Sequence, residues 1–156
     1  MKMPMTLLFL HHQDRVLLAM KKRGVGVGKW NGVGGKVEAG ETIEQAMIRE
    51  CQEEIGVTPL AYRQVAEFDF DFPGDSYQAH VYVYLAKSWN GEPTESEEMS
   101  PQWFTPVNIP YEQMWSDDKL WLPRILNGEL LKGSFDFADD GSVAKHTLQT
   151  VEDFGQ

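Results

Sequence analysis

Residues 35–57 read GKVEAGETIEQAMIRECQEEIGV, a glycine-bounded loop running into an acidic helix. Gly34 and Gly35 let the backbone approach a ligand closely, and Gly40 permits a further tight turn. Thr42 opens the helix. Its hydroxyl caps a free backbone N–H while Gln45, three residues on, reaches back to complete a capping box. Gly56 ends the helix in the left-handed conformation that glycine adopts without penalty.

The spacing of the carboxylates along this helix carries the chemistry. At about 100° per residue, Glu50, Glu53 and Glu54 fall on adjoining faces and are expected to converge. Glu50 and Glu54, spaced i and i+4, are placed on the side of Ile43 and Met47, with Gln45, Arg49 and Gln52 projecting the opposite way. Two carboxylates about 5 Å apart repel by roughly 3 kcal/mol at an effective dielectric of about 20. Crowding three beside an apolar stripe therefore calls for a cation. Oxygen-only ligands favour a hard one, Mg2+ first and Mn2+ second, since no Cys and His cluster favours zinc.

The whole chain sets the frame. Its 156 residues suit one domain with a real core, expected to span 1–156, and 42% hydrophobic with 24% charged residues is a soluble globular composition. A formal net charge of −10 disfavours sequence-independent attraction to duplex nucleic acid, whereas a small anionic nucleotide can be bridged to carboxylates by metal ions. A single cysteine forms no internal disulfide, no signal peptide is recognisable, and no apolar run reaches the roughly 20 residues needed to span a bilayer. The expectation is a monomer in the cytoplasm, acting on a small molecule and not on a nucleic acid polymer or a membrane.

Outside the central stretch, strands are expected over 5–10 and 15–20, over 62–72 with the alternating set Phe68, Phe70 and Phe72, around Val81, Val83 and Leu85, over 102–104, and as a closing pair over 131–137 and 143–151. Residues 73–76 read as a turn, 89–93 as a loop, and 120–126 as an amphipathic helix ending at Gly128. His11 and His12 read as surface histidines. Ser116, Asp117 and Asp118 read as helix-start residues. The basic run Lys21, Lys22 and Arg23 leads into a loop containing Gly24, Gly26 and Gly28, read as irregular through Gly32. That loop is no P-loop, because Lys29 and Lys36 are followed by Trp30 and Val37, not by Ser or Thr. Strands on either side of a central helix, with a second helix late in the chain, make an α/β sandwich around a mixed sheet the expected architecture.

The residues of the central stretch resemble the signature of the Nudix hydrolases, carried here by Gly35, Glu41, Arg49, Glu50, Glu53, Glu54 and Gly56 at that family's spacing. Cys51, at the aliphatic position after Arg-Glu, is unusual but still small and apolar. The resemblance implies a Nudix-type α/β/α sandwich around a mixed β-sheet and cleavage of a pyrophosphate bond. Scattered pieces from Thr6 to Thr150 are similar to the branch of the family that acts on oxidised purine nucleoside triphosphates: Lys21 to Gly24, Trp30 to Gly32, Glu98-Met99, Trp103-Phe104, Met114-Trp115, Asp117-Asp118 and Trp121.

Carried over on those positions, the resemblance implies metal binding by the Gly35 carbonyl, Glu50, Glu53 and Glu54, with Glu98 as a further ligand or base. Glu54 is the first candidate to deprotonate the attacking water. Arg49 and Glu41 would brace helix and loop, and Lys21 would face the phosphates. Asn31, Asp117 and Asp118 would read the purine edge, Trp115 and Phe70 would enclose the ring, and Thr6, Met99 and Trp121 would line the pocket. Val25, Ala79, His80 and Ser116 depart from that branch, which has a larger aromatic residue, Met, Asp and Pro there. The expected reaction is conversion of an oxidised purine triphosphate of the 8-oxo-dGTP or 2-hydroxy-dATP type to monophosphate and pyrophosphate, sanitising the nucleotide pool. A broader pyrophosphatase acting on ADP-ribose, dinucleotide polyphosphates or normal nucleotides, and a nucleotide sensor without turnover, are the alternatives.

Overall fold

A computed structural model describes residues 2–74 and 78–154. The elements run β1 (Lys2–His12), β2 (Arg15–Lys21), β3 (Trp30–Asn31), β4 (Val33–Lys36), α1 (Ile43–Ile55), β5 (Thr58–Asp71), β6 (Gln78–Asn90), β7 (Met99–Phe104), α2 (Asp118–Leu126), β8 (Leu131–Phe137) and β9 (Val143–Thr150). The strands form one mixed sheet in the order β3-β2-β1-β6-β5-β8-β9, with β4 also on β1 and β7 also on β2. The β1–β6 and β5–β8 pairs are parallel; the other pairs are antiparallel.

The sheet is covered on both faces, and the period-2 alternation of its central strands shows how. In β1, Phe9 belongs to the core beneath α2 while its neighbours Leu8 and Leu10 belong to the core beneath α1. Likewise in β6, Val81, Val83 and Leu85 point one way, and Tyr84 and Ala86 the other. α1 presents Met47, Cys51 and Ile55 to one face and α2 presents Trp121, Leu122 and Ile125 to the opposite face. This is an α/β/α sandwich around a mixed sheet, as expected.

α1 forms for the reasons legible in its sequence. The Thr42 hydroxyl accepts from the Gln45 N–H at 3.1 Å, the Gln45 side chain accepts from the Thr42 N–H at 2.9 Å, and Gly56 closes the helix at φ 72°. Elsewhere the elements are longer than their alternation suggests. β5 begins at Thr58 because register shifts around Ala61 and between Gln64 and Ala66 break the period, leaving the adjacent Val65 and Ala66 both buried. β6 runs on through the expected loop to Asn90, and β7 starts at Met99. The last positions of the turn expected over 73–76 lie outside the described residues.

The glycine stretch holds the main correction. Residues 30–31 and 33–36 are short strands, not irregular loop. Gly34 lies so close to β1 that a Cβ there would sit 1.9 Å from the Thr6 carbonyl oxygen. Its glycine serves strand-to-strand approach. Among the described residues, no helix is long and apolar enough to cross a membrane.

Candidate active site

β4 and α1 together form one end of a cleft of about 620 Å³, a size suited to a nucleotide. Glu54 is almost fully buried there. Its Oε2 accepts from the Gly34 N–H at 3.3 Å, and its Oε1 has no hydrogen-bond partner. Burial first, and then the neighbouring Glu50 carboxylate, push the Glu54 carboxyl up to about 9, while the Lys21 ammonium across the cleft partly offsets them. Gly35 leaves room for that carboxylate: a Cβ there would meet the Glu50 carboxylate carbon at 2.8 Å and make the side chain shift.

The braces around this end come from Arg49. Its guanidinium grips Glu41 through Nε at 2.6 Å and NH2 at 3.0 Å, reaches Glu50 at 2.7 Å and Glu53 at 3.1 Å, and donates to the Lys36 carbonyl at 3.1 Å. The hydrogen bonds to Glu41 lead the forces that raise the Arg49 pKa, and the same contacts lower that of Glu41. Helical spacing placed Arg49 on the far face with Gln45 and Gln52. Those two are exposed, but the longer arginine side chain curls back across its own helix to tie loop and carboxylates together.

Of the three glutamates expected to converge, Glu50 and Glu53 both accept from one Arg49 nitrogen, at 2.7 and 3.1 Å, and Glu50 lies beside Glu54. Glu50 and Glu54 line the cleft, whereas Glu53 is not among its lining residues and is 55% exposed. Accordingly, no group of three or more His, Cys, Asp or Glu able to hold a metal exists among the described residues. The two remaining carboxylates still suit a divalent cation. A buried carboxylate oxygen without a partner and a second carboxylate beside it make an all-oxygen donor set, the preference of a hard ion. Glu98 sits at the rim of the cleft, half-exposed, with Oε1 3.5 Å from the Arg23 guanidinium.

The other end is built by α2 and the segment before it. Asp117 and Asp118 are both buried, and neither acts as the helix-capping residue that its position suggests. Asp117 Oδ2 instead accepts from the indole N–H of Trp121 at 2.7 Å, while Asp118 Oδ2 has no partner. Burial pushes Asp117 up to about 6 and drives Asp118 well above the usual carboxylate range, with the Asp117 charge adding to the latter. Both shifts favour the protonated form, and a coupled pair that shares a proton offers one donor and one acceptor side by side.

The remaining expected residues have definite places. Thr6, Lys21, Asn31, Phe70, Met99, Trp115 and Trp121 all line the cleft. Asn31 Oδ1 accepts from the Gly32 N–H at 2.8 Å, which leaves the amide N–H groups for a ligand. Trp121 is fully buried against Phe9 and Phe68, so its polar contact is with Asp117. Thr6 Oγ1 is buried without a partner. Val25, Ala79 and three residues overlooked in the sequence, Lys29, Phe72 and Phe137, also line the cleft. Phe72 continues the Phe68 and Phe70 alternation and was findable on that ground; it stacks on Phe137 at 5.0 Å. Lys29 carried no local signal. His80 lies outside the cleft, bridging Asp69 at 2.6 Å and Glu67 at 2.8 Å.

A two-faced sandwich with a glycine strand laid over an arginine-braced acidic helix is the frame of the Nudix domain, and the chain belongs to that family, matching it over residues 2–125. Within the family it is 46% identical over 149 residues to the oxidized purine nucleoside triphosphate hydrolase of Danio rerio, with 96% of each chain aligned. The Mus musculus protein of the same name is 42% identical, again over 149 residues and 96% of each chain. Among solved structures, a MutT protein from Bacillus halodurans superposes with a TM-score of 0.84 at 26% identity, covering 94% of this chain and 97% of that one.

Proposed function

We propose that the protein hydrolyses oxidised purine nucleoside triphosphates to the monophosphate and pyrophosphate, clearing damaged precursors from the nucleotide pool. One observation carries the reading. Among the described residues, the three buried side-chain polar atoms without partners belong to Glu54, Thr6 and Asp118, residues that all line the same cleft, so it has an acidic end and a separate polar end. Such atoms are costly to bury and mark where a ligand supplies what the protein does not. The similarity to the Danio rerio and Mus musculus hydrolases supports the substrate class.

In this reading the base enters between Trp115 and Phe70. The carboxyl pair offers a proton from one oxygen and accepts one at the other, and the Asn31 amide adds donors along the same edge. Thr6, Met99 and Trp121 complete the wall. The phosphates extend toward Lys21 and the glutamates. Glu50, Glu54 and the Gly35 carbonyl would hold Mg2+, or Mn2+ in its place, with Glu98 and Glu53 able to join from the rim. The cation, when bound, neutralises phosphate charge and offsets charge developing on the leaving pyrophosphate. Glu54 takes the proton from the attacking water as the α–β phosphoanhydride is cleaved, while Arg49 and Glu41 keep the helix and the glycine strand in register. The enzyme would act as a cytoplasmic monomer, as a single domain.

The test is product identification after incubating the protein with Mg2+ and a panel of 8-oxo-dGTP, 2-hydroxy-dATP, dGTP, dATP, ADP-ribose and a diadenosine polyphosphate. Monophosphate and pyrophosphate formed faster from an oxidised purine than from its normal parent is the expected result. Preference for ADP-ribose or the dinucleotide overturns the assignment of Asn31, Asp117 and Asp118 to the purine edge. Binding without any product would leave only a sensor.

A further inference from the structure

The loop between β2 and β3 is short, closed on itself and built around one aromatic ring. Its ends are tied by the Lys21 N–H to the Lys29 carbonyl at 3.1 Å and the Gly28 N–H to the Lys21 carbonyl at 2.9 Å. Inside it, the Val27 N–H reaches the Gly24 carbonyl at 3.2 Å and the Lys29 N–H the Gly26 carbonyl at 3.0 Å. Gly24, Gly26 and Gly28 hold φ of 82°, 86° and 83°, so the path is one that residues with side chains rarely follow. Trp115 rests on it. A Cβ on Gly26 would touch the indole at 3.4 Å, and the Lys29 ammonium stands 5.4 Å from the ring centroid.

We propose that Lys29 is a specificity-determining positioning residue: its ammonium, seated on the face of Trp115, holds that ring as one wall of the base end and sets which purine edge the facing Asp117–Asp118 pair accepts. Two consequences of the geometry support this. A half-buried cation on an indole face restrains the ring without needing a hydrogen bond. The same charge acts on Asp118, whose other charged or titratable neighbours are Asp117 and Tyr111, so it opposes the burial and the Asp117 charge that hold the proton on Asp118. A purine that offers a donor to the pair and one that offers an acceptor therefore respond differently to Lys29.

The inference rests on the purine-hydrolase reading above, and the experiment separates the two. KM and kcat for 8-oxo-dGTP and 2-hydroxy-dATP are measured for the wild type, Lys29→Met and Lys29→Arg. Lys29→Met is expected to raise KM by about 2- to 30-fold, the range of a cation–π contact, unequally for the two substrates and more than it lowers kcat, with Lys29→Arg restoring most of the loss. Equal changes for both substrates, or Lys29→Arg behaving like Lys29→Met, overturn the proposal. If the wild type hydrolyses neither substrate, the functional reading fails by itself, and the Lys29 assignment is decided without substrate. Lys29→Met should then lower the Tm more at pH 8 than at pH 5, and this pH-dependent part should vanish when Asp118→Asn is also present. A loss that is the same at both pH values, or that survives Asp118→Asn, overturns it.

Discussion

Replacing Asp118 by asparagine should make the protein more stable as pH rises, relative to the wild type. In the folded chain Asp118 is buried, Oδ2 has no partner, and burial with the adjacent Asp117 charge holds its pKa well above the ordinary 3.8. In the unfolded chain the carboxyl titrates normally. A raised folded pKa means the native state binds the extra proton, so the stabilising effect is complete below the unfolded value and is lost as pH climbs toward the folded one. Wherever Asp118 is protonated folded and ionised unfolded, each pH unit costs the wild type about 1.4 kcal/mol that the variant does not lose. From pH 5 to pH 6 that difference should appear as roughly 3–6 °C in the change of Tm for a chain of this size. Glu54 is present in both proteins, so its titration cancels in the comparison, whereas Asp117 is coupled to Asp118 and the difference reports the pair. The assay is thermal or urea unfolding across pH in the absence of divalent cations. Parallel pH profiles for wild type and Asp118→Asn would refute the buried, proton-holding pair, and with it the physical basis of donor-and-acceptor reading of the base.

Other perturbations test other parts of the cleft. Glu54→Gln should reduce kcat by about 10²- to 10⁴-fold, with no loss of Tm at pH 7 when divalent cations are absent, since the amide then imitates the protonated carboxyl that a bound cation would ionise; retention of most activity would move the base role elsewhere. Gly35→Ala forces a methyl against the Glu50 carboxylate, and should weaken Mg2+ or Mn2+ binding by calorimetry as well as turnover; unchanged cation affinity would contradict the placement of the ion. Arg49→Lys cannot reproduce the paired contacts to Glu41, and should lower kcat/KM by about 10- to 100-fold through misplaced carboxylates; full activity would show the brace to be dispensable. Trp115→Ala should raise KM by the equivalent of about 1–3 kcal/mol, the worth of stacking a base on an aromatic ring, and an unaltered KM would remove Trp115 from the base end.

Much of this molecule was legible because its information is local. The α1 boundaries follow from Thr42, Gln45 and Gly56 acting within a few residues of one another, and the strand set follows from alternation that burial on two faces imposes. The presence of Glu50 and Glu54 on one helical side is likewise a matter of 3.6-residue periodicity. What periodicity does not carry is side-chain reach. Arg49 reaches Glu41, Glu50 and Glu53 together, and Glu53 stays exposed while Glu50 and Glu54 line the cleft.

Only the tertiary structure decided the rest, because it depends on segments distant in the chain coming together. Gly34 is set by its approach to Thr6 in β1, and Gly35 by the Glu50 carboxylate. The residues 117–118 look like an ordinary helix start until the fold buries them beside Trp121 and leaves one oxygen unpaired. Lys29, in a loop with no signature of its own, gains meaning from Trp115, far along the chain, resting on its turn. Capping and periodicity, both local, were enough for the sandwich and the acidic helix. Which oxygens stay buried without partners, and therefore what the cleft is able to bind, is a property of desolvation, and that exists only once the two ends of the cleft are folded against each other.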